Sequence, residues 1–201
     1  MKKILFTFTV ILTLSSGIQL YSQDIQANLD AARSSYQSGD LENARFALQE
    51  ALNFINQAIG QEILGMLPAS IGGMAKTEGG DNVTGTGMGF AGLFVSRSYT
   101  GDNKNSSVEI VGDSPMMAGI NALLAMPAFI TSDPNQKRIK VGSYKALLTK
   151  GTDDQGIVSY DIQLPFSNSL LTFKCAGVAN ETEVVGMVNS LPVDKIAKMA
   201  E

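Results

Sequence analysis

LGMLPASIGGMAKTEGGDNVTGTGMGFAG, residues 64 to 92, divides the chain into two regimes of hydrophobic periodicity. Before it, apolar residues recur every three or four positions, the spacing of a helix face; after it they alternate, the spacing of a half-buried strand. Its glycines, among them Gly72, Gly73, Gly79, Gly80, Gly85 and Gly87, argue against a continuous helix. The stretch therefore reads as a Gly-rich linker over residues 68–89, exposed and mobile up to about Gly87, and the fold follows from what it joins.

Upstream, Ile25, Leu29, Ala32 and Tyr36 share one helical face, Gly39-Asp40 interrupts, and Leu41, Ala44, Leu48, Ala51, Leu52, Ile55 and Ile59 form a second face. Two antiparallel helices joined by a short turn are expected over residues 23–67. With small residues at Ala32, Ala44 and Ala51 and Gly-Asp at the turn, residues 27–56 resemble a single degenerate tetratricopeptide-repeat hairpin. A repeat array needs about three units to close its core, and no second copy is found, so the hairpin must cover part of its own domain or a partner.

Downstream, residues 90–201 read as an α+β domain. Phe90 to Tyr99 and Ser107 to Val111 form a hairpin across the turn Thr100 to Asn105. Ser114 and Pro115 then cap a helix running to Met126, stopped by Pro127. Arg138 to Lys150 reads as one strand with a bulge at Gly142, where the apolar parity changes. Val158, Tyr160, Ile162 and Leu164 alternate cleanly with polar residues, and Leu171, Phe173 and Cys175 follow. Asn180 with Glu183 signals a helix start, and Val193 to Met199 a last short helix. The expectation is a mainly antiparallel five-stranded sheet, in the order ββαβββα, with helices on one face. This order is similar to that of the photosystem II accessory PsbP-like proteins and the nuclear-import Mog1-like proteins, a likeness of topology that transfers no functional residues.

The start, Met1-Lys2-Lys3 before the apolar run Ile4 to Leu14, reads as a signal peptide over residues 1–22, cleaved between 17 and 23. Export to a periplasm or to the medium, in a bacterial setting, follows. Without Lys2 and Lys3 the chain keeps 13 basic against 19 acidic residues, a formal charge of about −6. Such a surface disfavours nucleic acid. No second apolar run reaches spanning length, so the mature chain is expected to hold no integral membrane segment. Cys175 is the only cysteine, which excludes an intramolecular disulfide framework.

Several motifs fail on chemistry or context. Gly87 to Gly92 matches the dinucleotide pattern G-x-G-x-x-G, but a strand rather than a helix is expected after it, leaving no helix N-terminus for a pyrophosphate. Gly112-Asp113-Ser114 resembles the Gly-Asp-Ser opening of a family of secreted serine esterases. With no histidine anywhere in the chain, however, no Ser-His-Asp triad, Cys-His pair or imidazole metal ligand can be assembled. Asp153-Asp154 reads as a turn, Asp102 to Ser106 lacks the closing glutamate of a calcium loop, and the methionines read as core filling.

The expected function is that of a non-catalytic exported protein without cofactor or metal. It acts through contacts with another protein or with itself, as a homodimer through the hairpin. The alternative is a binding module for a small apolar or amphipathic ligand between helix 115–126 and the sheet. Its pocket would be lined by Met116, Met117, Ile120, Leu124, Tyr160 and Phe173.

Overall fold

The computed structural model of the protein describes residues 16–85, 92–125 and 134–200. The chain forms two compact units, one up to Phe54 and the other from Ile55 onward. It is an α+β protein with an N-terminal helical pair and a large antiparallel sheet.

The first unit contains α1 (Ser16–Gln37) and the first half of α2 (Leu41–Met66). Gly39, at φ +82°, takes the left-handed conformation that lets the chain reverse. Asp40 then caps α2, accepting the Asn43 backbone N–H at 3.1 Å and its side-chain amide at 2.6 Å. These two bonds, the side-chain one first, hold the Asp40 carboxyl below its ordinary value. The buried side chains here are small: Ala32, Ala44, Ala47 and Ala51. Residues 16–22 of the expected leader form the first turns of α1, while residues 1–15 lie outside the described residues.

The second unit is built on eight strands rather than five: β1 (Ser70–Ile71), β2 (Met74–Thr84), β3 (Phe94–Gly101), β4 (Lys104–Gly112), β5 (Gln136–Val141), β6 (Tyr144–Thr152), β7 (Val158–Phe166) and β8 (Ser169–Ala176). They lie in the order β1-β2-β3-β4-β8-β7-β6-β5, with every neighbouring pair antiparallel. Two local readings account for the difference. Residues 68–89, expected to be an exposed linker, contain β1 and β2, and Met74 is fully buried. Their glycines serve specific backbone conformations instead: Gly72 and Gly73, at φ +56° and +80°, turn β1 into β2, and Gly79, at φ +69°, lies where the β2–β3 register shifts. The parity change at Gly142 is a two-residue turn, Gly142-Ser143, that separates β5 from β6, with Gly142 at φ +57°. The expected bulge is therefore a hairpin.

The helices of this unit occupy both faces of the sheet, which corrects the one-face arrangement. Tyr99, Ile110, Ile162, Leu164, Leu171 and Phe173 build the main core. The same core receives Ile63 from the end of α2, Val184 and Val188 from α4 (Glu181–Asn189), and Ile196 from α5 (Val193–Met199). Ile120 and Leu124 of α3 (Met117–Ala125) form a second, smaller cluster with Leu147 and Leu170. Because strand side chains alternate, Leu147 and Leu170 point away from their neighbours Leu148 and Leu171, which belong to the main core. Here β6 and β8 are buried on both sides. At Gly60 the second half of α2 comes so close to the sheet that an added Cβ would lie 2.5 Å from Val83 Cγ1.

Candidate functional site

The six residues expected to line one pocket are divided between the two faces. Met116, Met117, Ile120 and Leu124 lie in or beside α3, with Ile120 and Leu124 buried and Met116 exposed. Tyr160 and Phe173 belong to the main core on the opposite face, where the Tyr160 hydroxyl donates to the Ala179 carbonyl at 3.1 Å. The alternation that made Tyr160 and Phe173 conspicuous places them against α4 and α5 rather than α3.

A groove does lie between α3 and the sheet, with other residues as its floor. Its volume is about 730 Å³, within the range of small-molecule sites. Met116, Ile120, Leu123 and Leu147 supply apolar wall, and Thr149, Asp161 and Gln163 supply polar floor. The floor residues come from the polar positions of β6 and β7, which the sequence marks only as outward-facing. Asp161 is the notable member. Its Oδ1 is buried and has no hydrogen-bond partner among the described residues. Burial pushes its carboxyl above the ordinary value, against the pull of Lys174, and Glu109 adds to the rise. Lys174, its cross-strand neighbour, has its own ion pair with Glu109 at 3.5 Å.

A second polar cluster has a structural role. Arg97, buried in β3, donates to both carboxylate oxygens of Asp81 at 2.7 Å and to the Leu67 carbonyl at 2.6 Å. It thereby fastens β2, β3 and the chain just after α2 to one another. The guanidinium holds the Asp81 carboxyl below its ordinary value, mainly through the hydrogen bond. No sequence signal marks this pair, since Asp81 falls in the stretch read as linker.

The remaining chemical candidates resolve into local structure. Ser114 Oγ accepts the Met116 N–H at 3.4 Å in the turn that precedes α3, which begins at Met117 rather than at Pro115. Asp153 Oδ1 accepts the N–H groups of Gln155 and Ile157 at 2.9 and 2.8 Å, closing its turn. Burial, reinforced by Glu183 against Lys104, pushes the Cys175 thiol up to about 11, far from a thiolate at neutral pH. Of the G-x-G-x-x-G stretch, residues 87–91 lie outside the described residues. The segments on either side of it, β2 and β3, are paired antiparallel strands, so the upstream side is a strand and not the loop expected. Among the described residues no cluster of three or more metal-ligating side chains occurs, and no helix is long and apolar enough to cross a membrane.

Apolar exposure is concentrated in the first unit. Of the nine large apolar side chains exposed among the described residues, six belong to it: Leu29, Tyr36, Leu41, Phe46, Leu48 and Leu52. Leu41, Leu48 and Leu52 share a stripe of α2, and Leu29 and Tyr36 a stripe of α1. The stripes expected from periodicity are thus present, but in the first unit only their alanines are fully buried.

No protein-family model matches the chain, and no curated protein and no solved structure matches it.

Proposed function

We propose that this is a non-catalytic exported protein acting through protein–protein contacts made by its helical hairpin, in the first instance with a second copy of itself. One observation carries the reading: Leu29 and Tyr36 of α1 and Leu41, Phe46, Leu48 and Leu52 of the first half of α2 are exposed while the alanines beside them are buried. Tyr36 is 70% exposed and Leu52 57%, against 2% for Ala51. An apolar stripe of this kind on paired helices marks an interaction surface. Two such hairpins packed face to face would make a four-helix bundle, with the stripes as its core. The single repeat-like hairpin supports self-association over peptide capture, since one unit has no concave groove. Sedimentation equilibrium of the processed chain and of the double variant Leu48→Glu, Leu52→Glu tests this. The wild type is expected to associate and the variant to sediment as a single chain; equal behaviour of the two would refute the assignment of the face.

A second reading is favoured by the groove beside α3, which fits a small apolar or amphipathic ligand. Its walls are apolar and its floor offers convergent polar groups, the composition of small-molecule sites. From Pro115 to Ala125 the chain carries no charge, and yet Met116 is exposed. Titration with neutral decanol, followed by amide chemical shifts of Ile120, Leu123 and Leu147, tests that reading; absence of any shift would remove it.

A further inference from the structure

The groove also has a polarity, which specifies the kind of molecule it would hold. Asp161 is the one ionisable residue among the described residues that line it. Every other polar group of the floor, Thr149 and Gln163 among them, is neutral. The basic side chain directly across the strand, Lys174, pairs with Glu109 at 3.5 Å, so these two opposite charges largely offset one another beside Asp161. Arg138 of β5 is not among the lining residues. A molecule in the groove would therefore lie with its body against Met116, Ile120, Leu123 and Leu147 and with its polar end beside a carboxylate whose Oδ1 has no hydrogen-bond donor among the described residues.

We propose that the groove binds an amphipathic small molecule with an aliphatic body and a cationic, hydrogen-bond-donating end, in the simplest case an alkylammonium ion, and that Asp161 is the residue that selects this end. The inference rests on the groove being a ligand site and adds the chemistry of the ligand. An anionic head would meet the Asp161 carboxylate in the floor and be repelled. A neutral alcohol could fill the apolar part and donate one hydrogen bond to the carboxylate, but without the ion-pair attraction that an ammonium adds.

The test uses the purified protein with three compounds that share one chain: decylammonium, decanol and decanoate. Binding is followed by calorimetry and by the amide shifts of Ile120, Leu123, Leu147 and Asp161. Decylammonium is expected to bind most tightly. Asp161→Asn should weaken decylammonium by at least about tenfold, the loss of one charge-assisted hydrogen bond, and weaken decanol by less. Because no described residue hydrogen-bonds Asp161 Oδ1, the asparagine variant should keep the fold. If it does not, the wild-type ranking of the three heads still decides. Equal affinity for all three heads, or tighter binding of decanoate, overturns the head-group inference while leaving the groove as a ligand site. Failure of all three to bind removes the site itself.

Discussion

Replacing Arg97 by alanine deletes three hydrogen bonds from a side chain that is only 8% exposed. The Leu67 carbonyl loses its guanidinium donor, at a cost of about 1–3 kcal/mol for an orphaned buried acceptor. Asp81 loses both of its bonds, but its side chain is 29% exposed and can recover water, so about 1 kcal/mol is assigned to its incomplete rehydration. Together these give a loss of about 3 kcal/mol, at the lower edge of what breaking a fully buried pair costs. Urea unfolding at pH 7, followed by far-ultraviolet circular dichroism, measures it as a shift in midpoint at constant slope. Arg97→Met keeps most of the apolar stem and should lose nearly as much, because the loss lies in the hydrogen bonds. The pH dependence adds a check of sign. The Asp81 carboxyl is lowered in the folded state, so its contribution is full above the ordinary aspartate value of 3.8 and fades as pH falls through its folded value. The gap between wild type and variant should narrow there. A loss below about 1 kcal/mol at pH 7 would refute the assignment of Arg97 as the tie between β2, β3 and the end of α2.

Three further outcomes follow from the same structure. Asp161→Asn should stabilise the unliganded protein at neutral pH: the folded carboxyl is raised, so the wild type loses stability as pH rises through the ordinary value of 3.8 towards the folded one. Below that window the two proteins should unfold alike, and a variant advantage that persists in acid would contradict the explanation. Gly60→Val should destabilise by about 1–3 kcal/mol through overpacking against Val83, Leu93 and Val95, read from thermal unfolding; a neutral result would mean that α2 does not approach the sheet so closely. Cys175 should resist an aromatic disulfide reagent in the native protein and react at once in urea; rapid native labelling would show that the β8 thiol is accessible.

Local signals in the sequence proved strong where one residue type meets a single backbone demand. Gly39-Asp40 gave the hairpin turn, Asn180 the start of α4, where its side chain accepts the Thr182 N–H, and Val193 to Met199 the last helix. The strand count failed where periodicity was uninformative. In β2, MAKTEGGDNVT, only Met74 is fully buried, so no alternation announces a strand, and its glycines imitate a linker. Pairing with β3 supplies what the local sequence lacks. The pocket failed for a different reason. Alternation identifies two faces but does not say which of them α3 will cover, and consecutive buried residues such as Leu147-Leu148 and Leu170-Leu171 become legible as two-sided burial only once the sheet is assembled. Asp161 occupies a polar position of an alternating strand, and a carboxylate half-buried between β6 and β8 beneath a helix has no sequence signature.

The exposed stripes of α1 and α2 are the surface that a second copy would cover. Multi-angle light scattering of the processed chain, taken across a range of protein concentrations, tests this most directly. The molar mass is expected to rise to twice that of one chain and to return to that of one when Leu48 and Leu52 are both replaced by glutamate. A single-chain mass at every concentration for the wild-type protein would contradict this.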